Sequence, residues 1–187
     1  MKTHQIGTIG TNISAIGFGA WAIGGGAVWG DHTDDAEAVR ALHTALDCGI
    51  NLIDTAPAYG FGRSERLIGA ALRDRRDKVF IATKCGLWWQ DSRGWFFCNF
   101  DGKALRRSLR PDTIRIEVEH SLTRLQTDHI DLYQVHWPSV PPYQTAIADS
   151  MACLMTLMEQ GKIRAIGVCN VNRRELNQYR QIGRAHV

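Results

Sequence analysis

Four apolar runs in this 187-residue chain each close on a polar residue: "INLID" on Asp54, "VFIATK" on Lys84, "IDLYQVH" on His136 and "RAIGVCN" on Asn170. Tyr59 follows Asp54 across the short turn "TAPA". A carbonyl that accepts hydride at carbon needs a proton at oxygen, and so an acid of tunable pKa and help for the developing oxyanion. Tyr59 can be that acid. A free phenol ionises at about pH 10, and a neighbouring ammonium such as Lys84 makes the phenolate easier to form. Asp54 has the sign to hold Lys84. At ~4 Å and an effective dielectric of ~20 their raw attraction is about 4 kcal/mol, before desolvation is subtracted. A neutral His136 can donate to the substrate oxygen and aim it at Tyr59. Solvation of a strand terminus explains any one of these residues taken alone. Four strand ends of the same kind point to a shared pocket.

Such ends meet only if the strands run parallel. Residues 33–48 place Val39, Leu42 and Leu46 on one helical face, with Asp34 and Glu37 spaced as a capping box and Gly49 as the stop. A helix led by Ser64 buries Leu67, Ile68, Ala71 and Leu72, and Pro111 opens another, striped by Ile114, Val118, Leu122 and Leu125. Ile147, Met151, Leu154, Met155 and Met158 mark a further helix ending at Gly161. With "SAIGFGAW" (14–21) as the first strand and "VNRRELNQYR" as the last helical start, strand and helix alternate strictly. That order predicts a parallel sheet covered by helices, whose strands are buried on both faces and therefore apolar throughout. No strand leads into a GxGxxG turn, since "GGG" (24–26) and "GFG" (60–62) lack the spacing, so the open dinucleotide-binding sheet is disfavoured. In a (βα)8 barrel the C-terminal strand ends converge on one site.

Composition narrows the classes further. The net charge of +3 comes without a basic block that could track a phosphate backbone, so nucleic acid is not an expected partner. No window has the ~18 apolar residues of a membrane span and "MKTHQIGTIG" is not an export signal, so a cytoplasmic location away from membranes is expected. The five cysteines form no CxxC pair, and neither a disulfide framework nor a metal site is expected.

The segments "GFGAWAIGG", "LIDTAPAYGFGRSERLIGAAL", "IATKCGL", "DHIDLYQVHWP" and "GKIRAIGVCN", in this order, closely resemble the aldo-keto reductases. The resemblance runs from about residue 5 to about 181. It implies a (βα)8 TIM barrel, NADPH as cofactor, a small-molecule aldehyde or ketone as substrate, and a catalytic tetrad of Asp54, Tyr59, Lys84 and His136. It further implies that Trp21, Cys169 and Asn170 hold the nicotinamide end. The family commonly has serine where this chain has Cys169, and a thiol is the weaker donor. A cofactor-binding regulatory module resembling the potassium-channel β-subunits is the alternative, because it shares the same residues.

The 26 residues between Lys84 and Pro111 exceed an ordinary βα connection and include Trp88, Trp89, Trp95, Phe96, Phe97 and Phe100. They are expected to form a long aromatic loop, either a substrate lid with Trp88 and Trp89 as contacts or a hydrophobic cover. Eight strands close such a barrel in ~250 residues, whereas about five βα units are counted here. Residues 1–181 are therefore expected to be the N-terminal part of a single barrel domain, inactive alone, and Ile182 to Val187 a non-native tail.

Overall fold

The computed structural model describes residues 1–6, 9–30 and 34–184. It opens on an antiparallel pair that the sequence pattern did not announce, β1 (Thr3–Gln5) and β2 (Asn12–Ser14). The first strand of the main sheet, β3 (Gly17–Gly19), is consequently shorter than the expected 14–21, because Ser14 is already used in the hairpin. A one-turn helix, α1 (Gly26–Trp29), and the longer α2 (Asp35–Asp47) follow. The cap of α2 forms as its sequence requires, with the Asp34 carboxylate accepting from Ala36 N at 2.9 Å.

Next in the chain come β4 (Leu52–Asp54), α3 (Arg63–Ala71) and β5 (Phe80–Cys85). Ser64 does not cap α3. It lies inside the helix, fully buried, and donates instead to Ala20 O at 2.7 Å, while Gly62 in the left-handed region precedes the first turn. The segment after Lys84 is not a loop either. It folds as β6 (Leu87–Trp88), β7 (Trp95–Phe100) and β8 (Lys103–Arg107), an antiparallel sheet of three strands in the order β6-β8-β7. Then α4 (Pro111–Leu125), β9 (Leu132–Val135), α5 (Ile147–Glu159), β10 (Ile166–Val168) and α6 (Arg173–Arg184) restore the alternation. Ile182 to Arg184 continue α6, whereas the rest of the expected tail, 185–187, lies outside the described residues.

The main sheet is five-stranded and parallel, in the order β10-β9-β5-β4-β3. Strands consecutive in the alternation are therefore neighbours in space, without the reversal of a doubly wound sheet. This is the α/β architecture of a parallel (βα)8 barrel, represented by five of its βα units. The core lies between sheet and helices. Ile53, Ile81 and Val135 meet the α4 stripe Ile114, Val118, Leu122 and Leu125, all buried. Among the described residues no helix is long and apolar enough to cross a membrane.

One buried carboxylate fixes β5 against β9. Asp131, 2% exposed, accepts from Arg76 Nη2 at 2.7 Å, Arg164 Nη1 at 3.0 Å and the Ile81 amide at 2.9 Å. Asp131→Ala strands the Ile81 amide and leaves Arg76 without its counter-charge, though still bonded to Thr127 Oγ1, Val79 O and His129 O, and is expected to destabilise the chain by about 3 kcal/mol, read as a lowered urea midpoint. Asp131→Asn, which keeps acceptors but loses the charge, is expected to cost less.

Candidate active site

The strand ends that carry the chemistry are locked by a ladder that outlasts the strands themselves. Ala20 N donates to Asp54 O at 2.8 Å, Thr55 N to Ala82 O at 2.8 Å, His136 N to Cys85 O at 2.9 Å and Cys169 N to Val135 O at 2.7 Å. The turn after Asp54 is fixed by an approach only glycine allows. A Cβ on Gly24 would sit 2.8 Å from the Tyr59 carbonyl carbon, and Gly60 adopts φ +60° against the Gly24 carbonyl. Beneath the turn, Thr55 Oγ1 and Ser64 Oγ share a hydrogen bond of 2.8 Å, so the ends of β3 and β4 and the start of α3 are tied together.

Tyr59 is thereby brought back over the strand ends. Lys84, 4% exposed, donates to Asp54 Oδ2 at 2.8 Å, to Thr55 O at 2.8 Å and to Tyr59 Oη at 3.2 Å. An ammonium cannot accept, so the phenol oxygen must, and the Tyr59 O–H proton is left free to point at a ligand. The His136 ring meets the Tyr59 ring edge-on at 5.9 Å. Burial, reinforced by the Lys84 charge, pushes the His136 pKa down to about 3, so the imidazole is neutral near pH 7. Among the described residues neither of its ring nitrogens has a hydrogen-bond partner. The geometry therefore brings all four proposed tetrad residues together: a phenol with a free proton, a cation behind it and a neutral imidazole beside it.

Of the three residues expected at the nicotinamide end, Trp21 is 44% exposed and stacks on Tyr59 at 5.7 Å, with Trp29 perpendicular to it at 5.8 Å. Asn170, exposed and at φ +55°, donates to His136 O at 2.8 Å, which leaves its Oδ1 unengaged among the described residues. The Cys169 thiol lies 3.5 Å from Gln134 Oε1, and burial pushes its pKa up. Gln134 was not anticipated. Its amide also donates to Asp54 Oδ1 at 3.4 Å, linking Cys169 to the tetrad. Its signal was strand alternation, because it lies two residues before His136 and so shares that face of β9.

Trp88 is placed differently from the expected ligand contact. It is 2% exposed, its Nε1 donates to Asp91 Oδ1 at 2.8 Å and Arg93 covers its ring, so it offers a ligand little surface. Trp89 is half-buried and packs on Phe61 at 5.2 Å. Ionisable residues the pattern did not reveal lie behind the site. Glu65, fully buried, accepts from Thr83 Oγ1 and Arg124 Nε, each at 2.7 Å. Glu117 accepts the Gly86 amide at 2.9 Å, yet burial pushes its pKa up to about 8. Among the described residues no group of His, Cys, Asp and Glu could hold a metal ion.

Known proteins share the sequence and the fold of this chain. The family model described as "Aldo/keto reductase family" matches residues 15–184. The NADH-specific methylglyoxal reductase of Escherichia coli is 44% identical over 188 residues, covering 100% of this chain and 57% of that protein. The solved glycerol dehydrogenase of Gluconobacter oxydans superposes with a TM-score of 0.82 at 44% identity, over 96% of this chain and 52% of that one. An aldo-keto reductase from Klebsiella pneumoniae, solved with NADPH, gives a TM-score of 0.69 at 29% identity, over 89% and 49%. The chain thus spans about half the length of the relatives it matches.

Two buried groups set opposite pH limits. The unfolded chain protonates His136 at its ordinary pKa of 6.5, and the folded chain only near 3, so stability is full above 6.5 and drains as pH falls toward 3. Glu117 is the reverse case: its contribution is full below its ordinary 4.5 and is lost as pH rises toward 8. Denaturant midpoints measured across pH are expected to fall at both ends. His136→Gln should flatten the acid limb, and Glu117→Gln the alkaline one.

Proposed function

The chain belongs to the aldo/keto reductase family, and on that premise we propose that the whole protein reduces an aldehyde or ketone to the alcohol, with Tyr59 as proton donor. The observation that carries the reading is the Lys84 ammonium held between Asp54 Oδ2 and Tyr59 Oη.

The residues at the strand ends fit the nicotinamide end of a dinucleotide. The free Asn170 Oδ1 can accept from a carboxamide N–H, and the exposed Trp21 offers a flat face beside Tyr59. The Cys169 thiol is already directed at Gln134, so it is the weakest of the three contacts proposed. When bound, the reduced nicotinamide supplies a hydride to the carbonyl carbon.

What the chain's own groups do follows from their geometry. His136, neutral, donates one ring N–H to the carbonyl oxygen and orients it. As negative charge develops on that oxygen, Tyr59 releases its proton there, and Lys84 stabilises the phenolate that remains. Asp54 keeps Lys84 charged and aimed. The ring of Tyr59 lies under Trp21 and beside His136, which limits the water that can compete for its proton. NADPH is the proposed donor. The Escherichia coli relative is NADH-specific by name and the Klebsiella pneumoniae structure contains NADPH, so the two cofactors belong in one assay.

In the full-length protein, carbonyl-dependent oxidation of the reduced cofactor is expected, and Tyr59→Phe should lower kcat by at least about 100-fold with cofactor affinity retained. Undiminished turnover in Tyr59→Phe would remove that residue from the proton-donor role.

A further inference from the structure

Arg107 of β8 is a half-buried cation with no carboxylate partner among the described residues. Its guanidinium carbon lies beside two adjoining aromatic rings, 4.4 Å from the Phe97 centroid and 4.7 Å from that of Trp137. Those rings are themselves 5.8 Å apart. The Nε atom is buried with no hydrogen-bond partner, and among the described residues no carboxylate pairs with the guanidinium. Burial lowers its pKa, and no acidic side chain offsets the shift except the weak charge of Cys98. Most of the half-buried arginines show the contrast: Arg76 has Asp131, Arg93 has Asp91 and Asp112, and Arg124 has Glu65. Arg106, next to Arg107 on β8, has no carboxylate among the described residues either but lacks its aromatic contacts.

Location gives this unpaired fork its meaning. Trp137 directly follows His136 at the end of β9, so the hairpin that carries Arg107 is packed against the rim of the site. The two rings adjoin one another on one flank of the guanidinium and hold it by cation–π contact, which leaves its terminal Nη groups for a ligand on the other flank. A planar two-oxygen anion is the acceptor that matches such an edge.

We propose that Arg107 determines specificity in the reductase site by binding the carboxylate of an oxo-acid substrate whose carbonyl lies at Tyr59 and His136. This rests on the reductase reading above and adds the substrate class to it. The other oxyanion within reach of a nicotinamide enzyme is a phosphate of the cofactor. The rim position beside Trp137 assigns Arg107 to the substrate.

The test uses the full-length protein, its Arg107→Met and Arg107→Lys variants, and a matched pair of substrates, 4-oxobutanoate and butanal. The expected result is a wild-type preference for the oxo acid. In Arg107→Met, kcat/KM for 4-oxobutanoate should fall at least about tenfold more than that for butanal, the loss appearing in KM, with partial recovery in Arg107→Lys. Where both substrates are reduced, equal losses on the two, no wild-type preference, or a rise confined to the KM of the cofactor would each overturn the proposal. The last result would move Arg107 to a cofactor phosphate. Binding of the alcohol product, 4-hydroxybutanoate, read by quenching of tryptophan fluorescence, needs no turnover. A dissociation constant about tenfold weaker in Arg107→Met supports the site even if neither aldehyde is reduced, in which case the reductase reading alone fails. An unchanged constant overturns the site.

Discussion

The structure turns on how a buried ammonium is satisfied. Lys84 has three N–H donors and meets three acceptors, the Asp54 carboxylate, the Thr55 carbonyl and the Tyr59 hydroxyl. All three come from the end of β4 or the turn beyond it, so the arrangement exists only while β4 and β5 keep their register, Asp54 opposite Ala82. A slip of one residue would turn Lys84 to the helix side of the sheet and bring Thr83 to the pocket. The Asp54 side chain is 44% exposed, and solvent therefore discounts its charge. The Thr55 carbonyl and the phenol oxygen, held by the fold at fixed distance, share the task. The contact that the proposed proton transfer from Tyr59 would use is thus the same contact that satisfies the third N–H of the buried Lys84.

The opposite face of the sheet is organised by the same rule with the signs reversed. Thr83 points away from Lys84 and donates to Glu65, whose other oxygen takes Arg124 from α4. Glu117, also from α4, receives the amide of Gly86, just past β5. Two helices are thereby fastened to the residues on either side of Lys84. Where α3 meets α4 the packing is backbone on backbone: a Cβ on Gly69 would lie 2.4 Å from Arg124 O. Such close approach leaves no room for water to reach the buried carboxylates, which is why they need partners of their own.

Much of this was legible in the sequence, and for identifiable reasons. Apolar runs ending on Asp54, Lys84 and His136 have one simple solution, a parallel strand buried on both faces whose terminus opens to a pocket. Pro111 and the stripe Ile114, Val118, Leu122 and Leu125 likewise match α4 from its first residue to its last. What stayed hidden has no side-chain signature. The carbonyl of Thr55 is a backbone group that any residue could supply. Ser64 has the chemistry of a helix cap, and only the tertiary position of Ala20 O diverts it. The segment from Leu87 to Arg107 carries aromatics on both sides of its chain and a bulge between Phe96 and Cys98, so the period-two alternation that marks a strand is blurred. Trp88 was legible as an aromatic residue near the site. That its indole would be buried over α4 with Asp91 as partner depended on β6 pairing with β8.

These contacts divide the site into two kinds of polar group. Glu65, Glu117, Asp131, Arg76 and Arg124 are matched within the chain, and a group so matched has little left to offer a ligand. The Tyr59 proton, the His136 ring nitrogens, Asn170 Oδ1 and the Arg107 fork are held in place by neighbours that do not consume their hydrogen-bonding capacity: an ammonium that only donates, a ring edge, a backbone carbonyl and two aromatic faces. An unsatisfied polar group beside a pocket carries a cost in the empty protein that a complementary ligand removes on binding. The first three converge on strand ends of the parallel sheet, where the hydrogen-bond ladder fixes their backbone positions. The fourth lies on an antiparallel sheet inserted after β5, which can vary without disturbing that ladder. On the proposed reading, that separation keeps the reacting groups rigid and leaves the choice of carbonyl compound to the hairpin.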